Sequence, residues 1–348
     1  MKPLRVLMAN RSPGRFWSIE ELFASIARAF PGWVKHTVAT APRSRADAGS
    51  LAANLRWAAS LKDCDVIHQT GDIHYAVLGM WRCPVVLTIH DLRFIEEARG
   101  LRRLLFWWLW LYLPCLRANR VTVISEFTKS RLLAVCRVNP AKVRVIPNCV
   151  AGEFVATAKP WNAAKPCLLL VGTTPNKNLH RIAQACEGLQ VRLSILGQLD
   201  AGQRAAFEAR SIEFESHSNL SKEQVVALYQ FCDLVCFVST YEGFGMPILE
   251  AQAAGRPVLT SDVSPMREVA GEGALKVDPF DVDAIRNGIK HLLADAELRT
   301  HLIEEGFRNV AGYSAKAVAA QYAALYCEVL GRDFEQEQTE GTEGDSPR

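Results

Sequence analysis

The sequence lacks the features that mark membrane-spanning and secreted proteins. Its main apolar block, residues 104–113, would span only about 15 Å as a helix. That length is about half of the hydrocarbon core of a bilayer, so the block cannot cross a membrane. The first residues, MKPLRVLMANRSPG, contain no apolar core followed by a small-residue cleavage site. We therefore expect a cytoplasmic protein.

Three motifs of cofactor and metal binding are also missing. The ten cysteines form no CxxC pair, which argues against a zinc site or a disulfide framework and favours reduced thiols. No G-x-G-x-x-G is present, so dinucleotide binding is not supported. No D-x-D triplet stands at the carboxyl end of a predicted strand. The sequence therefore predicts neither a cofactor nor a catalytic metal.

The length and composition indicate a globular chain of two domains. The 348 residues exceed the size of most single hydrophobic cores. Hydrophobic residues make up 49% of the chain and charged residues 22%, which excludes extensive disorder. The formal net charge is only +3, and we expect no nucleic-acid partner. Strand and helix patterns alternate along the chain, which predicts an α/β fold with doubly wound parallel sheets.

A strand, a glycine-bearing turn and a helix in the second half of the chain carry the functional interpretation. Residues 233–238 form a short apolar strand pattern, and a helix begins near Pro247. The backbone N–H groups of Phe244, Gly245 and Met246 stand at the start of this helix, where the helix dipole favours an anion. We therefore expect a negatively charged ligand group at this helix start.

Two carboxylates flank the same helix start. Glu242 lies in the turn and Glu250 about one turn into the helix, so both can face the space beyond the strand end, where open parallel sheets bind ligands. A sugar nucleotide accounts for acids beside an anion site, because its diphosphate takes the N–H groups while its hydroxyls donate to the carboxylates. The alternative is a helix whose acidic residues only complement its dipole.

The surrounding run YEGFGMPILEAQAAGRPVLTSDVSPMREVAGEGALKVDP resembles the signature of glycosyltransferase family 4. Members of this family are retaining, nucleotide-sugar-dependent enzymes with an E-x7-E motif. Their GT-B fold consists of two Rossmann-like domains, each with a doubly wound parallel sheet, that face a central cleft. The resemblance implies that Glu242 contacts the donor sugar, Glu250 the ribose, and the loop from Gly243 to Met246 the sugar and the diphosphate.

Lys177 is the second part of the predicted donor site. It lies between an apolar strand at residues 167–171 and a helix for which Asn178 is a suitable N-cap. An ammonium in that place can neutralise a leaving diphosphate, and the resemblance makes Lys177 a catalytic candidate. Family members usually carry an arginine one or two residues earlier, where this chain has proline and Asn176. One cationic contact is therefore expected to be missing or to be supplied elsewhere, for instance by Arg181.

His90 and Asp91 directly follow a predicted strand at residues 85–89. A histidine at a strand end can hydrogen-bond a sugar hydroxyl or a developing charge, although in isolation it is more often an ordinary surface histidine. The phrase VVLTIHDL resembles the family segment whose histidine approaches the donor sugar, which implies a catalytic role for His90. Asp91 is a candidate for the acceptor side, together with Asp72 and His74 after another predicted strand.

Gly14 lies in the loop that follows the predicted first strand. In the family that the chain resembles, this loop covers the phosphates of the donor, which makes Gly14 a donor-binding candidate. The alternative is an ordinary turn glycine.

Residues 99–120 leave two interpretations open. Five arginines flank the apolar block at 104–113, which contains three tryptophans and a tyrosine, and no acid occurs between Glu97 and Glu126. Basic ends around aromatic residues are typical of a helix that lies at a membrane surface. The alternative is a core helix packed on the first sheet, which apolar residues around the whole helix favour. Contact with the inner face of the cytoplasmic membrane is thus one of two expectations.

Composition and the resemblance also predict the domain boundaries. We expect an acceptor-side domain at residues 1–150, a linker at 151–166 and a nucleotide-sugar-binding domain at 167–313. A helix at 314–331 is expected to return to the first domain. The acidic tail at 332–348 is expected to be disordered.

The predicted function is that of a retaining glycosyltransferase. It moves a hexose, such as mannose, from a nucleoside-diphosphate sugar to a saccharide or lipid-linked acceptor, in the synthesis of cell-surface polysaccharide or glycolipid. Two alternatives stay open. One is a sugar-nucleotide epimerase of the same fold, which needs no acceptor, and the other is a non-catalytic scaffold that binds a sugar nucleotide.

Overall fold

The chain folds into two compact units, each built around a six-stranded parallel sheet. The computed structural model describes residues 2–12, 18–45, 47–96 and 98–337. Gly14 and residues 338–348 of the predicted tail lie outside these ranges. Unit 1 comprises Met1–Cys149 and Ala315–Arg348, and unit 2 comprises Val150–Ser314. The predicted α/β class with doubly wound parallel sheets is confirmed.

Strands and helices alternate in the N-terminal part of unit 1. Its strands are β1 (Leu4–Asn10), β2 (Val34–Thr40), β3 (Val66–Gln69), β4 (Val85–Ile89), β5 (Arg120–Val123) and β6 (Val143–Val145). Its helices there are α1 (Ser18–Arg28), α2 (Ala48–Ser60), α3 (Arg93–Glu96), α4 (Gly100–Phe106), α5 (Leu113–Arg117) and α6 (Glu126–Val135). Short 3-10 turns lie at His74–Gly79 and Pro140–Lys142, and a π-helical segment, Trp107–Tyr112, joins α4 to α5.

The sheet of unit 1 has the order β2-β1-β3-β4-β5-β6 with all neighbouring strands parallel. The strand order reverses between β1 and β3, and open α/β sheets bind ligands outside the carboxyl ends of the strands at such a point. Arg11 follows β1, Thr70 follows β3 and His90 follows β4. These residues therefore collect at one edge of the sheet.

Unit 2 has the same alternation. Its strands are β7 (Cys167–Val171), β8 (Arg192–Leu196), β9 (Glu213–His217), β10 (Leu234–Phe237), β11 (Val258–Ser261) and β12 (Leu275–Val277). Its helices are α7 (Leu179–Cys186), α8 (Ala201–Glu208), α9 (Lys222–Phe231), α10 (Met246–Ala253), α11 (Met266–Ala270), α12 (Val282–Ala294) and α13 (Ala296–Ala311), and a 3-10 turn lies at Pro175–Lys177.

The sheet of unit 2 has the order β12-β11-β10-β7-β8-β9, again with all neighbours parallel. Counted from β7, this is the strand order of the nucleotide-binding Rossmann fold, and its reversal lies between β7 and β10. Lys177 ends the turn after β7, and Glu242 lies in the loop after β10. The fold therefore brings the two loops to the same ligand-binding edge.

The last long helix of the chain, α14 (Ala315–Leu330), belongs to unit 1. Tyr322 and Tyr326 of this helix are buried in one apolar cluster with Val6 of β1. The hydroxyl of Tyr326 lies 2.7 Å from Nδ1 of the buried His68 on β3. A segment from the far end of the chain therefore completes the core on one face of the unit 1 sheet.

Local sequence signals account for some helix starts and fail at one. Ser125 caps α6 as its residue type favours, and its hydroxyl accepts a hydrogen bond from the Thr128 backbone at 3.1 Å. Asn178 stands at the N-cap position of α7, but its side chain does not cap the helix. Its amide donates instead to the carbonyls of Val238 and Pro279, at 3.1 and 2.6 Å. The predicted side-chain cap is therefore wrong, because two neighbouring loops bind the amide.

Residues 100–117 do not form one regular α-helix, since the π-helical segment interrupts it. Among the described residues, no helix combines the length and the apolar character that crossing a membrane requires.

Candidate functional site

The loop between β10 and α10 presents a helix start with free backbone donors. Gly245 has φ +115°, a conformation that favours glycine, and α10 begins directly after it with Pro247 in its first turn. No described residue accepts a hydrogen bond from the backbone N–H groups of Phe244, Gly245 or Met246. Three donors at the positive end of a helix form a site suited to an anion such as a phosphate.

Lys177 and Glu242 form an ion pair where the strand order of unit 2 reverses. The Lys177 Nζ atom lies 2.6 Å from Glu242 Oε1, and the two side chains are 17% and 16% exposed. The pair is thus sheltered but reachable from solvent. The structure brings the two predicted residues into direct contact, beside the anion site at the start of α10.

Gly172 and Phe237 confine the side chain of Lys177. Gly172 has φ +90°, and a Cβ atom there would lie 2.7 Å from Lys177 Cε, so only glycine leaves room for the lysine. The Nζ atom of Lys177 lies 4.5 Å from the centre of the Phe237 ring, in a cation–π contact. The ammonium is therefore held at the sheet edge from three sides.

Asn176 supports the same pair, in the region where the sequence departs from its family pattern. Its amide donates to the Tyr241 carbonyl at 2.9 Å and to Glu242 Oε1 at 3.2 Å. The backbone carbonyl of Asn176 accepts a hydrogen bond from Thr240 N at 2.8 Å. Asn176 therefore ties the turn after β7 to the loop after β10. Arg181, the predicted substitute for the missing arginine, donates to Asn178 Oδ1 at 3.0 Å.

Glu250 is held by a residue that the sequence did not reveal. The hydroxyl of Tyr229, a buried residue of α9, donates to Glu250 Oε2 at 2.5 Å. Burial raises the pKa of Glu250, while this hydrogen bond and the charge of Lys177 oppose the rise. Burial also raises the pKa of Tyr229 well above its ordinary value, so the phenol keeps its proton. The second oxygen of Glu250, Oε1, stays available to accept a hydroxyl.

Four of the predicted residues of unit 1 line one pocket of about 430 Å³. It lies at the carboxyl ends of β1, β3 and β4, and aromatic and charged side chains surround it. The pocket is lined, among others, by Asp72, His74, His90, Asp91, Arg11, Arg45, Phe94 and Trp110. Aromatic walls with a few convergent polar groups are typical of small-molecule sites.

His90 is fixed in one tautomer by its backbone partner. Its Nε2 atom lies 2.9 Å from the carbonyl oxygen of Thr70. A carbonyl can only accept, so Nε2 carries the proton and Nδ1 of the neutral ring is an acceptor. Burial lowers the pKa of His90, which keeps the ring neutral near pH 7. His90 can therefore accept a hydrogen bond from a ligand hydroxyl.

His74 and Asp72 line the same pocket but differ in burial and in their hydrogen-bond partners. His74 is buried, donates from Nδ1 to the Trp110 carbonyl at 3.0 Å, and has its pKa lowered to about 4 by burial. Asp72 is exposed and pairs with Arg11 at 2.9 Å, and Arg11 also bonds Glu20 at 2.8 Å. Arg11, which the sequence did not single out, thus links helix α1 to the pocket wall.

The positions of the remaining predicted residues complete the site. Asp91 lies on the pocket rim, where its carboxylate accepts a hydrogen bond from the Arg93 backbone at 3.1 Å, and Gly243 lies in the loop before α10. The roles assigned to these residues, and to Gly14 outside the described ranges, stay predictions. Among the described residues, no group of three or more His, Cys, Asp and Glu side chains could hold a metal ion.

Comparison with known protein families covers nearly the whole chain. The family described as Glycosyltransferase Family 4 matches residues 10–153. The family described as Glycosyl transferases group 1 matches residues 156–309. The first match contains the pocket of unit 1, and the second contains the Lys177–Glu242 pair.

Individual proteins show the same similarity. The MMP alpha-(1->4)-mannosyltransferase of Mycolicibacterium hassiacum is 27% identical over 298 residues, which are 78% of this chain and 72% of that protein. Sucrose-phosphate synthase from Thermosynechococcus elongatus has a similar structure, with a TM-score of 0.73 at 18% identity over 94% of this chain and 99% of that one. Anabaena Alr3699/HepE, solved in complex with UDP and glucose, gives 0.71 at 16% identity over 93% of this chain and 100% of that one.

Proposed function

The chain belongs to glycosyltransferase family 4 and has the GT-B fold, and we propose that it is a retaining enzyme that transfers a hexose from a nucleoside-diphosphate sugar. The acceptor is a saccharide or a lipid-linked saccharide. The product belongs to the synthesis of a cell-surface polysaccharide or a glycolipid. The sheltered Lys177–Glu242 pair beside the free N–H groups of α10 is the observation that carries this proposal.

The donor binds unit 2, at the edge between β7 and β10. Its diphosphate accepts hydrogen bonds from the N–H groups of Phe244, Gly245 and Met246 and lies next to the Lys177 ammonium. A hydroxyl of the sugar donates to Glu242, and a ribose hydroxyl donates to the free oxygen of Glu250. When the diphosphate binds, it competes with Glu242 for the ammonium of Lys177. The ion pair then separates, so that Lys177 contacts the diphosphate and Glu242 contacts the sugar hydroxyl.

The chemistry consists of one substitution at the anomeric carbon of the donor. The bond between that carbon and the diphosphate oxygen breaks, and a bond to the acceptor oxygen forms on the same face of the sugar. The acceptor proton passes to the leaving phosphate oxygen, so no separate base is needed. Negative charge grows on the diphosphate during this step, and Lys177 with the dipole of α10 stabilises it without a metal ion.

The pocket of unit 1 holds the acceptor. Its aromatic walls, Phe94 and Trp110, pack against a sugar ring, and Asp72, His74 and Asp91 bind its hydroxyls. The neutral His90, with Nδ1 as an acceptor, hydrogen-bonds a hydroxyl of the donor sugar during the reaction. Gly14 contributes to binding the donor phosphates.

Two similarities guide the choice of donor. The relative from Mycolicibacterium hassiacum is named a mannosyltransferase, which favours a mannose-like hexose. The Anabaena structure was solved with UDP and glucose, which supports a nucleoside diphosphate as the leaving group. We further propose that the enzyme works at the inner face of the cytoplasmic membrane, as a peripheral protein attached through residues 99–120.

A thermal-shift screen with nucleotide sugars tests the donor site. A donor present at 100 times its dissociation constant adds about 2.7 kcal/mol to the free energy of unfolding. We expect GDP-mannose or a UDP-hexose to raise the melting temperature, and Glu250→Ala to reduce the shift. Absence of a shift with every nucleotide sugar would refute the proposal. Conversion of the bound donor without an acceptor would indicate an epimerase instead.

A further inference from the structure

The start of the helix at residues 100–117 is exposed on all sides. Seven consecutive residues, 99–105, are exposed to solvent, and three of them are leucines. The remaining twelve residues of the helix, about three turns, follow them. Leu101 is 82% exposed, and Leu104 and Leu105 are 52% exposed each. A helix that only served the core of unit 1 would bury these side chains.

The exposed apolar residues form a stripe along one side of this helix. Leu101, Leu104, Leu105 and Trp108 have the spacing i, i+3, i+4, i+7 of one helix face. Trp108 is 43% exposed and Leu116, further along the helix, is 50% exposed. This row, called here the leucine stripe, is the surface that the core leaves uncovered.

The opposite side of the helix is anchored in unit 1. Trp110 packs against Tyr75 with ring centres 4.5 Å apart and meets Phe106 edge to face at 5.1 Å. The indole N–H of Trp107 donates to the Val135 carbonyl at 2.7 Å. One side of the helix is therefore core, as one of the two interpretations expects, and the leucine stripe faces outward.

Positive charge accompanies the leucine stripe. Arg99, Arg102 and Arg103 are all exposed, and the sequence contains no Asp or Glu from residue 98 to residue 125. At the other end of the helix, Arg117 lies over the ring of Trp81, at 4.6 Å, and Trp81 is 71% exposed. The surface thus combines apolar side chains with arginines and tryptophans, and the helix itself carries no acid.

We infer that the leucine stripe and its three arginines dock onto a bilayer that contains anionic phospholipids. The helix lies in the plane of the surface, its leucines and Trp108 among the first methylene groups of the lipids. Arg99, Arg102 and Arg103 bind the headgroup phosphates, as a basic segment does at an anionic leaflet. Exposed tryptophans beside such a helix sit at headgroup level.

Charge complementarity favours a bilayer over a second copy of this chain. A symmetric pair of leucine stripes would bring the arginines of both copies together with no acid on either helix to pair with them, and like charges repel. A bilayer supplies phosphates along the whole length of the helix. This inference deepens the membrane attachment proposed above and does not depend on the transfer reaction.

Sedimentation of the full chain with phospholipid vesicles tests the inference. We expect binding to vesicles of phosphatidylglycerol and much weaker binding to vesicles of phosphatidylcholine. The Arg102→Ser/Arg103→Ser variant should bind phosphatidylglycerol about thirty-fold more weakly, from about 1 kcal/mol for each arginine. The Leu104→Ser/Leu105→Ser variant should lose at least about ten-fold.

Two control variants remove the same kinds of side chain elsewhere. Phe231→Ser removes an exposed aromatic residue, 70% exposed, from unit 2. Arg56→Ser/Lys290→Ser removes two exposed positive charges outside the surface. Both should bind vesicles as the unchanged chain does. Equal loss in the controls would show a general charge or solubility effect and would overturn the inference.

Other outcomes also decide the question. Equal binding to both lipids, or unchanged binding in both helix variants, would overturn it. So would a dimer, measured by sedimentation equilibrium, that the Leu104→Ser/Leu105→Ser variant dissociates. The melting temperature and the donor-induced shift, recorded without vesicles, show whether each variant is folded. A helix variant that no longer binds vesicles but still shows the donor-induced rise in melting temperature supports the membrane-docking inference. Loss of that rise in melting temperature would bear on the proposed function instead.

Discussion

Tyr229 donates its hydroxyl to Glu250 at 2.5 Å, which makes a residue of α9 the positioning partner of a carboxylate on α10. The phenol is buried and keeps its proton, so it can only donate to the carboxylate. The hydrogen bond fixes one oxygen of Glu250 and opposes the rise of its pKa. The position and the protonation of Glu250 therefore depend on a residue of another helix.

Tyr229→Phe should weaken donor binding in a pH-dependent way. Protonated Glu250 carries a proton on one oxygen and accepts hydrogen bonds more weakly than the carboxylate does, so affinity for the sugar donor should fall as the pH drops through the raised pKa of this group. Without the phenol that pKa rises further, and the pH at which affinity is halved should move upward. At neutral pH we expect a KM for the donor about ten-fold higher, from the loss of one charge-assisted hydrogen bond, with kcat little changed.

Tyr326→Phe is the matched control for this substitution. It removes a buried tyrosine hydroxyl from unit 1, where the partner is His68. Its donor KM should show the pH profile of the unchanged enzyme. An unshifted profile in Tyr229→Phe would show that the tyrosine has only a structural role.

Lys177→Ala should slow turnover far more than it weakens donor binding. The ammonium is expected to act on charge that grows during bond breaking, and loss of one such contact costs about 10²–10³-fold in kcat. Steady-state kinetics with a saturating acceptor measure this. Lys165→Ala, which removes a lysine paired with Glu213 in the same unit, serves as the control. A rise in KM with unchanged kcat would contradict the proposed role.

Gly172→Ala should damage the site through Lys177. The new methyl group would lie 2.7 Å from Lys177 Cε, so the lysine must leave its place beside Glu242. We expect a loss of kcat that approaches that of Lys177→Ala, together with a cost of about 1–3 kcal/mol in the free energy of unfolding. Gly188→Ala separates the two effects, because Gly188 has φ +71° and nothing within 4 Å of its added Cβ. It should lose stability and keep kcat.

The stability of the protein should fall below neutral pH because of buried histidines. Burial lowers the pKa of His68 to about 3 and that of His74 to about 4, against about 6.5 in the unfolded chain. Below about pH 6.5 the unfolded chain binds more protons than the folded chain does. The free energy of unfolding therefore decreases as the pH is lowered, by up to about 1.4 kcal/mol per pH unit for each histidine. The decline should run from about pH 6.5 toward pH 3.

Urea denaturation at a series of pH values measures this slope. His68→Asn should reduce the slope of the free energy of unfolding against pH by the contribution of one proton, up to about 1.4 kcal/mol per pH unit. This holds even if the substitution also changes the stability at neutral pH. His36→Asn, at an exposed position of β2, should leave the slope as it is. Equal slopes in all three proteins would show that His68 does not contribute.

Sequence patterns predicted the strands, the two parallel sheets and the loops that the strand ends bring together. Each short apolar run gave a strand, and the alternation with helices gave two parallel sheets. The contact between Lys177 and Glu242 followed from this, because parallel strands β7 and β10 end at the same edge. Glycine at position 245 signalled the turn before α10.

Contacts that depend on the detailed packing of individual side chains could not be predicted. The hydroxyl of Tyr229 on α9 meets Glu250 on α10 through the packing of these two helices, and no motif marks the tyrosine. Asn178 had the residue type of a cap, yet neighbouring loops bind its amide. The leucine stripe could not be recognised from the sequence, because tryptophans and leucines alternate in this helix. The sequence does not show which of its sides packs against the core.

The position of α14 in unit 1 has a consequence for synthesis on the ribosome. Residues 1–149 emerge before α14, and the face of their sheet that Tyr322 and Tyr326 cover stays bare until those tyrosines have been translated. Unit 2 is continuous in sequence, and a continuous segment can fold as soon as it has left the exit tunnel. Unit 1 therefore matures after unit 2, although most of its residues are translated earlier, and a nascent chain that stops before residue 315 leaves unit 1 unfinished.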